Sequence, residues 1–348
     1  MEIPVSFSPP MSQNYTVYVD AFSPLTCKGK VAIVTDESVK KLHLDWLLQR
    51  INAPEVHVIS LPQGETHKTL STVDMILDNL LEKRFDRSST LIAFGGGIVG
   101  DMTGFAAAIF QRGIDFIQIP TTLLAQVDAS VGGKTGVNTK WGKNLIGAFH
   151  QPRAVYCESR FLTTLPPREI GAGIAEIIKM AITFDKEFVG FLETNNILNP
   201  EHLRYAIAKS VAIKAQVVVQ DEKETGIRAV LNYGHTFGHV IENQSGYTRF
   251  LHGEAVAIGM RMANALACKL GLINSEEEVR ISKLLTKYGL NFSYSVDNPD
   301  KFYDAFFLDK KSRNMVITFI LPKGIGGYEI CSKVPKEDVV AMLAEFDR

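Results

Sequence analysis

Cysteine is scarce in this sequence, and what there is stands apart. Cys27, Cys157, Cys268 and Cys331 are the only four in 348 residues, and no two form a Cys-x-x-Cys pair. That excludes a disulfide framework and a cysteine-built zinc site, and leaves four reduced, mostly buried thiols as the expectation. Net charge is lacking too: 37 Lys and Arg against 38 Asp and Glu give a formal net charge of -1. No basic field therefore invites nucleic acid. No apolar run reaches the roughly 18 residues needed to span a membrane. The opening "MEIPVSFSPP" has no basic region followed by an apolar block, so a signal peptide is not expected. Repeats and low-complexity tracts are absent. The expectation is a cytoplasmic protein with neither membrane nor nucleic acid as partner.

What is present fits a soluble globular protein of two domains. The chain is too long for one ordinary core, and its 46% hydrophobic and 22% charged residues are globular values. "KVAIVTD", ending in Asp36, is a short apolar run that predicts a buried strand. "STLIAFGGG" and "IDFIQIP" predict two more. Between them "LSTVDMILDNLLEKR", with a Ser-x-x-Asp start, and the small-residue run "VGDMTGFAAAIF" predict helices. Such alternation implies an α/β domain with a mostly parallel, Rossmann-like sheet, which binds ligands at the carboxyl ends of its strands. Past "LTTLPPRE" the pattern changes. "PPREIGAGIAEIIKMAITF", "EHLRYAIAKSVAIKAQVVVQDE", "HGEAVAIGMRMANALACKLGL" and "SEEEVRISKLLTKYG" all read as helices, with a late strand or hairpin in "MVITFILPKGIGGYEI". The two prolines place the boundary, giving an α/β domain over 1–164 and a mainly helical domain over 165–348.

Two glycine loops invite phosphate. Gly95-x-Gly97-x-x-Gly100 follows a strand and opens a helix, as a dinucleotide fingerprint requires. It is not in the first strand–helix unit, and no acidic residue stands cleanly about 20 residues on. Phosphate contact and simple close packing therefore both remain open, and Asp36 is the alternative partner for a ribose hydroxyl. "VDASVGGKTG" ends like a P-loop in Gly133-Lys134-Thr135, but Asp128 stands where the opening glycine belongs. A carboxylate there repels a triphosphate, so the loop instead offers Asp128 and Lys134 as a carboxylate and an ammonium just after a strand.

Eight histidines serve the whole chain, and three fall within "LNYGHTFGHVIENQSGYTRFLHGE". His235 and His239 are four apart and share a helix face, the spacing of two metal ligands. A third ligand is needed, since catalytic zinc takes three and keeps a fourth place open. His252 is one candidate. Glu176 is the other, in the apolar "GAGIAEIIKMAI", where burial demands a metal or Lys179 as its cation. The competing reading is a helix-lining histidine pair with a Glu176–Lys179 ion pair. Glu242 extends the histidine face and is expected to be solvated. Lys134, Lys143, Lys179, Lys214 and Arg228, several among apolar residues, together suggest a polyanionic ligand.

With these motifs in view, a resemblance is plain. "GGGIVGDMTGFAAAIFQRGIDFIQIPTTLLAQVDASVGGKTGVN", "GKNLIGAF", "AGIAEIIKMA", "KAQVVVQDE" and "RAVLNYGHTFGHVIE…LHGE", in this order over nearly the whole chain, closely resemble the 3-dehydroquinate synthase family of sugar-phosphate cyclases. The resemblance implies NAD and Zn2+, or Co2+, as cofactors and an active site in the cleft between the domains. It implies Glu176, His235 and His252 as the metal ligands, and moves His239 to the substrate phosphate. NAD would be held by Asp36, Glu65, Lys68, Gly95, Gly96, Gly97, Thr121 and Thr122. Asp101 would lie near the nicotinamide, Lys143 near the cofactor, and Phe161 and Thr164 at the adenine end. A substrate carboxylate would meet Lys134, Lys214, Arg228 and Asn232. The phosphate would meet Asn144, Lys179, His239 and Lys310 or Lys311, and Asp128 the reacting hydroxyls. Arg112 resembles an arginine that the family contributes across a homodimer interface. His150 stands where many members carry a phenol.

The reaction so implied turns 3-deoxy-D-arabino-heptulosonate 7-phosphate into 3-dehydroquinate and phosphate, within the shikimate route to aromatic amino acids. Its steps are transient oxidation by NAD, phosphate elimination, re-reduction, ring opening and intramolecular aldol closure, a lyase reaction in sum. The competing expectations are a cyclase acting on a sugar phosphate without a carboxylate, a metal-dependent polyol dehydrogenase, and a non-catalytic NAD- or metal-binding protein.

Overall fold

The computed structural model describes residues 14–246, 249–309 and 316–346, and the chain divides into two compact units, 1–164 and 165–348. The first unit is built on six parallel strands, ordered Thr16–Val19, Ala154–Cys157, Asp115–Pro120, Thr90–Gly95, Val31–Asp36, Val56–Leu61. Apolar runs such as "VAIVTD" and "TLIAFG" bury nearly every residue because both faces are covered. Helices Leu70–Glu82 and Gly97–Ile109 cover one face, over Val34, Leu91 and Phe116. Helix Glu37–Leu48 and the turn Ser159–Thr164 cover the other, over Ile33, Phe94 and Phe161.

Three local expectations are corrected here. The helix of the "LSTVDM" segment starts earlier than its Ser-x-x-Asp pattern suggests: Thr69 is the cap, its hydroxyl accepting from the Thr72 N–H. Asp128 and Lys134 do not share a loop. Asp128 sits in a short π-helical turn, Ala125–Ala129, and Lys134 opens the strand Lys134–Thr139. That strand pairs antiparallel with Gly142–Phe149, a hairpin within an otherwise parallel unit, with a register irregularity between Val137 and Thr139. The four thiols are free, as expected, but Cys157 alone is buried; Cys27, Cys268 and Cys331 are half-buried.

Helices make up most of the second unit. Pro167–Phe184, Lys186–Thr194, Pro200–Gln220, His235–Gln244, His252–Lys269, Ser275–Lys287, Pro299–Asp309 and Lys336–Glu345 are joined by one hairpin, Phe319–Pro322 with Tyr328–Cys331. At the centre, His252–Lys269 is buried along nearly its whole length, from Gly253 to Ala267. Its glycines and alanines permit this, because small side chains let neighbouring helix backbones approach closely. Among the described residues no helix is long and apolar enough to cross a membrane.

Candidate active site and metal centre

Three ligand-type side chains from three helices of the second unit converge. One atom each from Glu176, His235 and His252 lie within 4.8 Å of one another. The Nε2 atoms of His235 and His252 stand 3.7 and 3.8 Å from Glu176 Oε1. An ion with tetrahedral bonds of about 2.0–2.1 Å spaces its ligands by roughly 3.3–3.4 Å, so both Glu176–imidazole spacings are within about half an ångström of that geometry. The electrostatics agree. Glu176 is 0% exposed, and its Oε1 accepts no hydrogen bond. Lys179, one turn on, is ion-paired to Oε2. A buried carboxylate that turns one unbonded oxygen to two imidazoles fits a divalent cation. His235 is prepared for it. Its Nδ1 lies 3.2 Å from the Tyr233 carbonyl, which assigns the proton to Nδ1 and leaves Nε2 with its lone pair. Burial holds the imidazole well below its ordinary pKa, helped by the Lys179 ammonium and the other two imidazoles.

His239, one turn after His235, joins a second group with Glu242 and His252. Its ring lies 5.5 Å from that of His235. The expectation that Glu242 is solvated is wrong. It is 3% exposed, with Oε2 3.4 Å from His252 Nδ1, because its helix packs closely against His252–Lys269. Its charge thus faces the second nitrogen of a histidine whose first nitrogen faces Glu176.

Cation burial divides the lysines. Lys179, Lys214 and Arg228 are 1%, 6% and 2% exposed. Lys134 is exposed and Lys143 half-buried, so the expectation of buried cations holds for the helical unit alone. Arg228 lies on a turn whose shape is set by a residue the sequence reading passed over. Asp221 accepts from the N–H groups of Thr225 (2.9 Å), Gly226 (2.7 Å) and Arg228 (3.0 Å). Those bonds, Thr225 foremost, pull its carboxyl down to about 2. The Arg228 guanidinium donates to the Glu222 carbonyl. Asn232 donates to Glu224 Oε1 at 2.8 Å, and Glu224 itself is in the left-handed region (φ 58). In sequence, "DEKE" after a long helix reads only as a solvated turn.

In the first unit the expected nucleotide residues gather at the carboxyl ends of adjacent strands. Asp36 and Gly95 end two neighbouring strands, and Thr121 and Thr122 follow a third. The two readings of the glycine motif separate by position. A Cβ on Gly95 would stand 2.6 Å from Val99 and one on Gly100 2.8 Å from Gln118, so these two glycines serve packing. Gly96 caps helix Gly97–Ile109 without a side chain, leaving the first N–H groups open to an anion. Asp36 caps helix Glu37–Leu48 through the Ser38 and Val39 N–H groups and also accepts from Gln63 Nε2 at 3.0 Å, so its carboxylate already has three donors.

Nearby, Lys68 donates to Asp101 (2.5 Å) and to Asn144 Oδ1 (2.6 Å). Asn144, left-handed at φ 53, donates its N–H to Asn138 Oδ1 at 2.9 Å, and Asn138 Nδ2 reaches Glu65 at 2.7 Å. Asn138, which sequence reasoning missed, thus links Glu65, Lys68 and Asn144. Phe161 is buried against Trp46 and Phe94, so its side chain presents no face to a ligand and only its backbone can serve. Thr164 Oγ1 is engaged with His43. Arg112 is exposed and left-handed (φ 67), as is Gln111 before it (φ 50). Lys310 and Lys311 lie outside the described residues.

Known proteins resemble this chain in sequence and in fold. Residues 58–172 match the 3-dehydroquinate synthase N-terminal domain and residues 173–312 the C-terminal domain. The 3-dehydroquinate synthase of a Nitratiruptor species is 55% identical over 348 residues, covering 100% of both chains. That of a Sulfurovum species is 58% identical over 347 residues, covering 100% of this chain and 99% of its own. Among solved structures, the 2-epi-5-epi-valiolone synthase of Streptomyces hygroscopicus subsp. jinggangensis 5008, with NAD+ and Zn2+ bound, superposes with a TM-score of 0.86. It is 26% identical and covers 97% of this chain and 98% of its own. A 2-deoxy-scyllo-inosose synthase complexed with carbaglucose-6-phosphate, NAD+ and Co2+ reaches 0.82 at 28% identity, with 91% of each chain covered. With both domain matches and full-length identity above one half, the chain belongs to the 3-dehydroquinate synthase family.

Proposed function

We propose that this chain catalyses the conversion of 3-deoxy-D-arabino-heptulosonate 7-phosphate to 3-dehydroquinate and phosphate, as a carbon–oxygen lyase dependent on NAD and a divalent metal, Zn2+ or Co2+. The observation that carries it is the buried Glu176 carboxylate, whose Oε1 faces two imidazoles, in a unit that also buries Lys179, Lys214 and Arg228. When bound, NAD supplies a hydride acceptor and the ion a Lewis acid for the substrate hydroxyls. The remaining work belongs to the chain's own residues. Glu176, His235 and His252 hold the ion. Glu176 has two cations to choose between. With the carboxylate on an ion, the Lys179 ammonium would serve the substrate phosphate, which Asn144, His239 and Lys310 or Lys311 would also contact. Lys214, Arg228, Asn232 and Lys134 compensate the carboxylate. Asp128 orients the reacting hydroxyls.

In this reading residues 1–164 hold NAD and residues 165–348 the metal and most substrate contacts. Lys68, held by Asp101 and Asn144, orients the Asn144 amide. Its Oδ1 takes the ammonium, so its NH2 is the end left for phosphate. Asp36, Glu65, the Gly96–Gly97 N–H groups, Thr121, Thr122, Lys143, and the backbone about Phe161 and Thr164 complete the NAD contacts. Two consecutive left-handed residues at Gln111 and Arg112 are strained, and strain is retained where it serves function. In the same unit Ile109, Trp141, Leu145 and Phe149 expose apolar surface, which supports a homodimer with Arg112 reaching the neighbouring site. A cytoplasmic location is part of this reading.

A carboxylate-free substrate is the second reading, favoured by the likeness to the two cyclases of known structure. Turnover of the heptulosonate phosphate but not of glucose 6-phosphate supports the first. The reverse preference overturns it. Mixing Arg112→Ala with Glu176→Ala tests the dimer: random pairing returns about one quarter of wild-type activity if Arg112 acts across subunits, and none if it acts within its own chain.

A further inference from the structure

The segment "LHGE" carries His252, but its glycine and glutamate have no part in the site described. The structure gives each a contact. His252 is the first residue of helix His252–Lys269, and the preceding Leu251 offers no side-chain hydroxyl or carboxylate as a cap. A ligand at that position sits on the least self-supported turn of a helix. Glu254 supports it, accepting the Leu251 N–H at 2.8 Å through Oε2. Glu254 is itself buried and held by a fork from another helix. Arg168 Nε and Nη2 donate to its two oxygens at 2.6 Å each, and Nη2 also donates to the Arg249 carbonyl at 2.7 Å.

Arg168 belongs to Pro167–Phe184, the helix that carries Glu176. Gly253 makes a second, independent contact to that helix. A Cβ there would stand 2.2 Å from the Ala172 carbonyl oxygen and 2.5 Å from its Cα. Only a glycine allows that approach, one turn before Glu176. The turn bearing one expected ligand is thus registered against the helix bearing another at two points, Ala172–Gly253 and Arg168–Glu254.

We infer that Arg168 and Glu254 are positioning residues for the metal centre: their fork fixes the separation of His252 from Glu176 and so sets metal affinity. The inference rests on the metal reading of Glu176, His235 and His252. A bidentate pair suits the task, because two parallel N–H···O bonds fix orientation as well as distance. A shift of a few tenths of an ångström at a ligand already leaves the range of metal bonds.

The test is Zn2+ and Co2+ affinity of the full chain, by competition with a chromophoric chelator, with the Co2+ absorption spectrum and the melting temperature of the metal-stripped protein. Arg168→Met, Arg168→Lys, Glu254→Gln and the double variant Arg168→Met/Glu254→Gln are compared. Outer partners of metal ligands typically shift affinity by about 10–100-fold. That loss is expected for Arg168→Met, with an altered Co2+ spectrum and partial recovery in Arg168→Lys. The double variant removes the stranded buried charge, so its metal-stripped stability recovers while affinity stays low. Affinity that recovers along with stability would show the pair to be merely structural and overturn the inference. Failure of the wild type to bind one ion, or unaltered binding in Glu176→Ala, would instead remove the metal reading on which it stands.

Discussion

Gly259→Ala is the sharpest perturbation this fold offers, because one methyl group separates folding from metal binding. Helices His235–Gln244 and His252–Lys269 meet through glycines. A Cβ on Gly259 would stand 2.0 Å from the Gly234 carbonyl oxygen and 2.8 Å from the Gly238 nitrogen. Carbon–oxygen contacts do not close below roughly 3.3 Å, so the helices must part by about 1 Å. Overpacking of this kind costs about 1–3 kcal/mol, which a two-unit protein of this size survives. The displaced atom, however, is the carbonyl of the residue before His235. Metal bonds tolerate only about 0.2 Å, several times less than the shift required. Metal affinity should therefore fall by more than about 100-fold in a protein that still folds. Chelator competition and urea unfolding of the metal-stripped protein measure the two effects separately. Gly190→Ala is the control: its Cβ would meet nothing within 4 Å, and a helical Gly-to-Ala change gains roughly 0.4–1 kcal/mol. Wild-type metal affinity in Gly259→Ala would refute the claim that this glycine contact places His235.

Other consequences can be checked alongside. Asp221 is held at about 2, below its ordinary 3.8, so its contribution is present above the unfolded value and lost as pH falls from about 4 to 2. The stability gap between wild type and Asp221→Asn in acid unfolding should close over that window. A gap constant from pH 6 to 2 would show that the charge of Asp221 does not hold the Arg228 turn. Asn138→Ala removes two side-chain hydrogen bonds, to Glu65 and Asn144. It should destabilise by about 1–2 kcal/mol and weaken NAD binding seen by calorimetry; unchanged NAD affinity would make Asn138 a hairpin residue only. Glu242→Gln, facing His252 Nδ1, should weaken Zn2+ binding by about 10-fold. No change in the chelator assay would assign its burial to packing alone.

Much of this was legible in the sequence, for identifiable reasons. Strands Val31–Asp36, Thr90–Gly95 and Asp115–Pro120 are covered on both faces, so each is a nearly continuous apolar run, the last two ending in glycine and proline. Val56–Leu61 escaped because His57 and Ser60 break its run. The hairpin Lys134–Phe149 escaped because its glycines and asparagines read as loop. Periodicity finds one-helix pairs only, so it brought out His235 with His239. Glu176 and His252, from helices far apart in sequence, meet His235 only in the fold. Glu242 was misread because a carboxylate at the end of a short helix is usually solvated, whereas this helix is buried against its neighbour. Asp221, Asn138 and the Arg168–Glu254 fork act through backbone N–H groups or long-range pairs, which leave no periodic signal.

The central claim is that NAD is regenerated in every turnover. The direct measurement is phosphate released from 3-deoxy-D-arabino-heptulosonate 7-phosphate by the Zn2+-loaded chain with catalytic NAD, while absorbance follows NADH. Phosphate in many-fold excess over NAD, with no steady rise of NADH, is the predicted result. NADH accumulating in step with substrate consumed, without phosphate, would contradict it and make the protein a dehydrogenase.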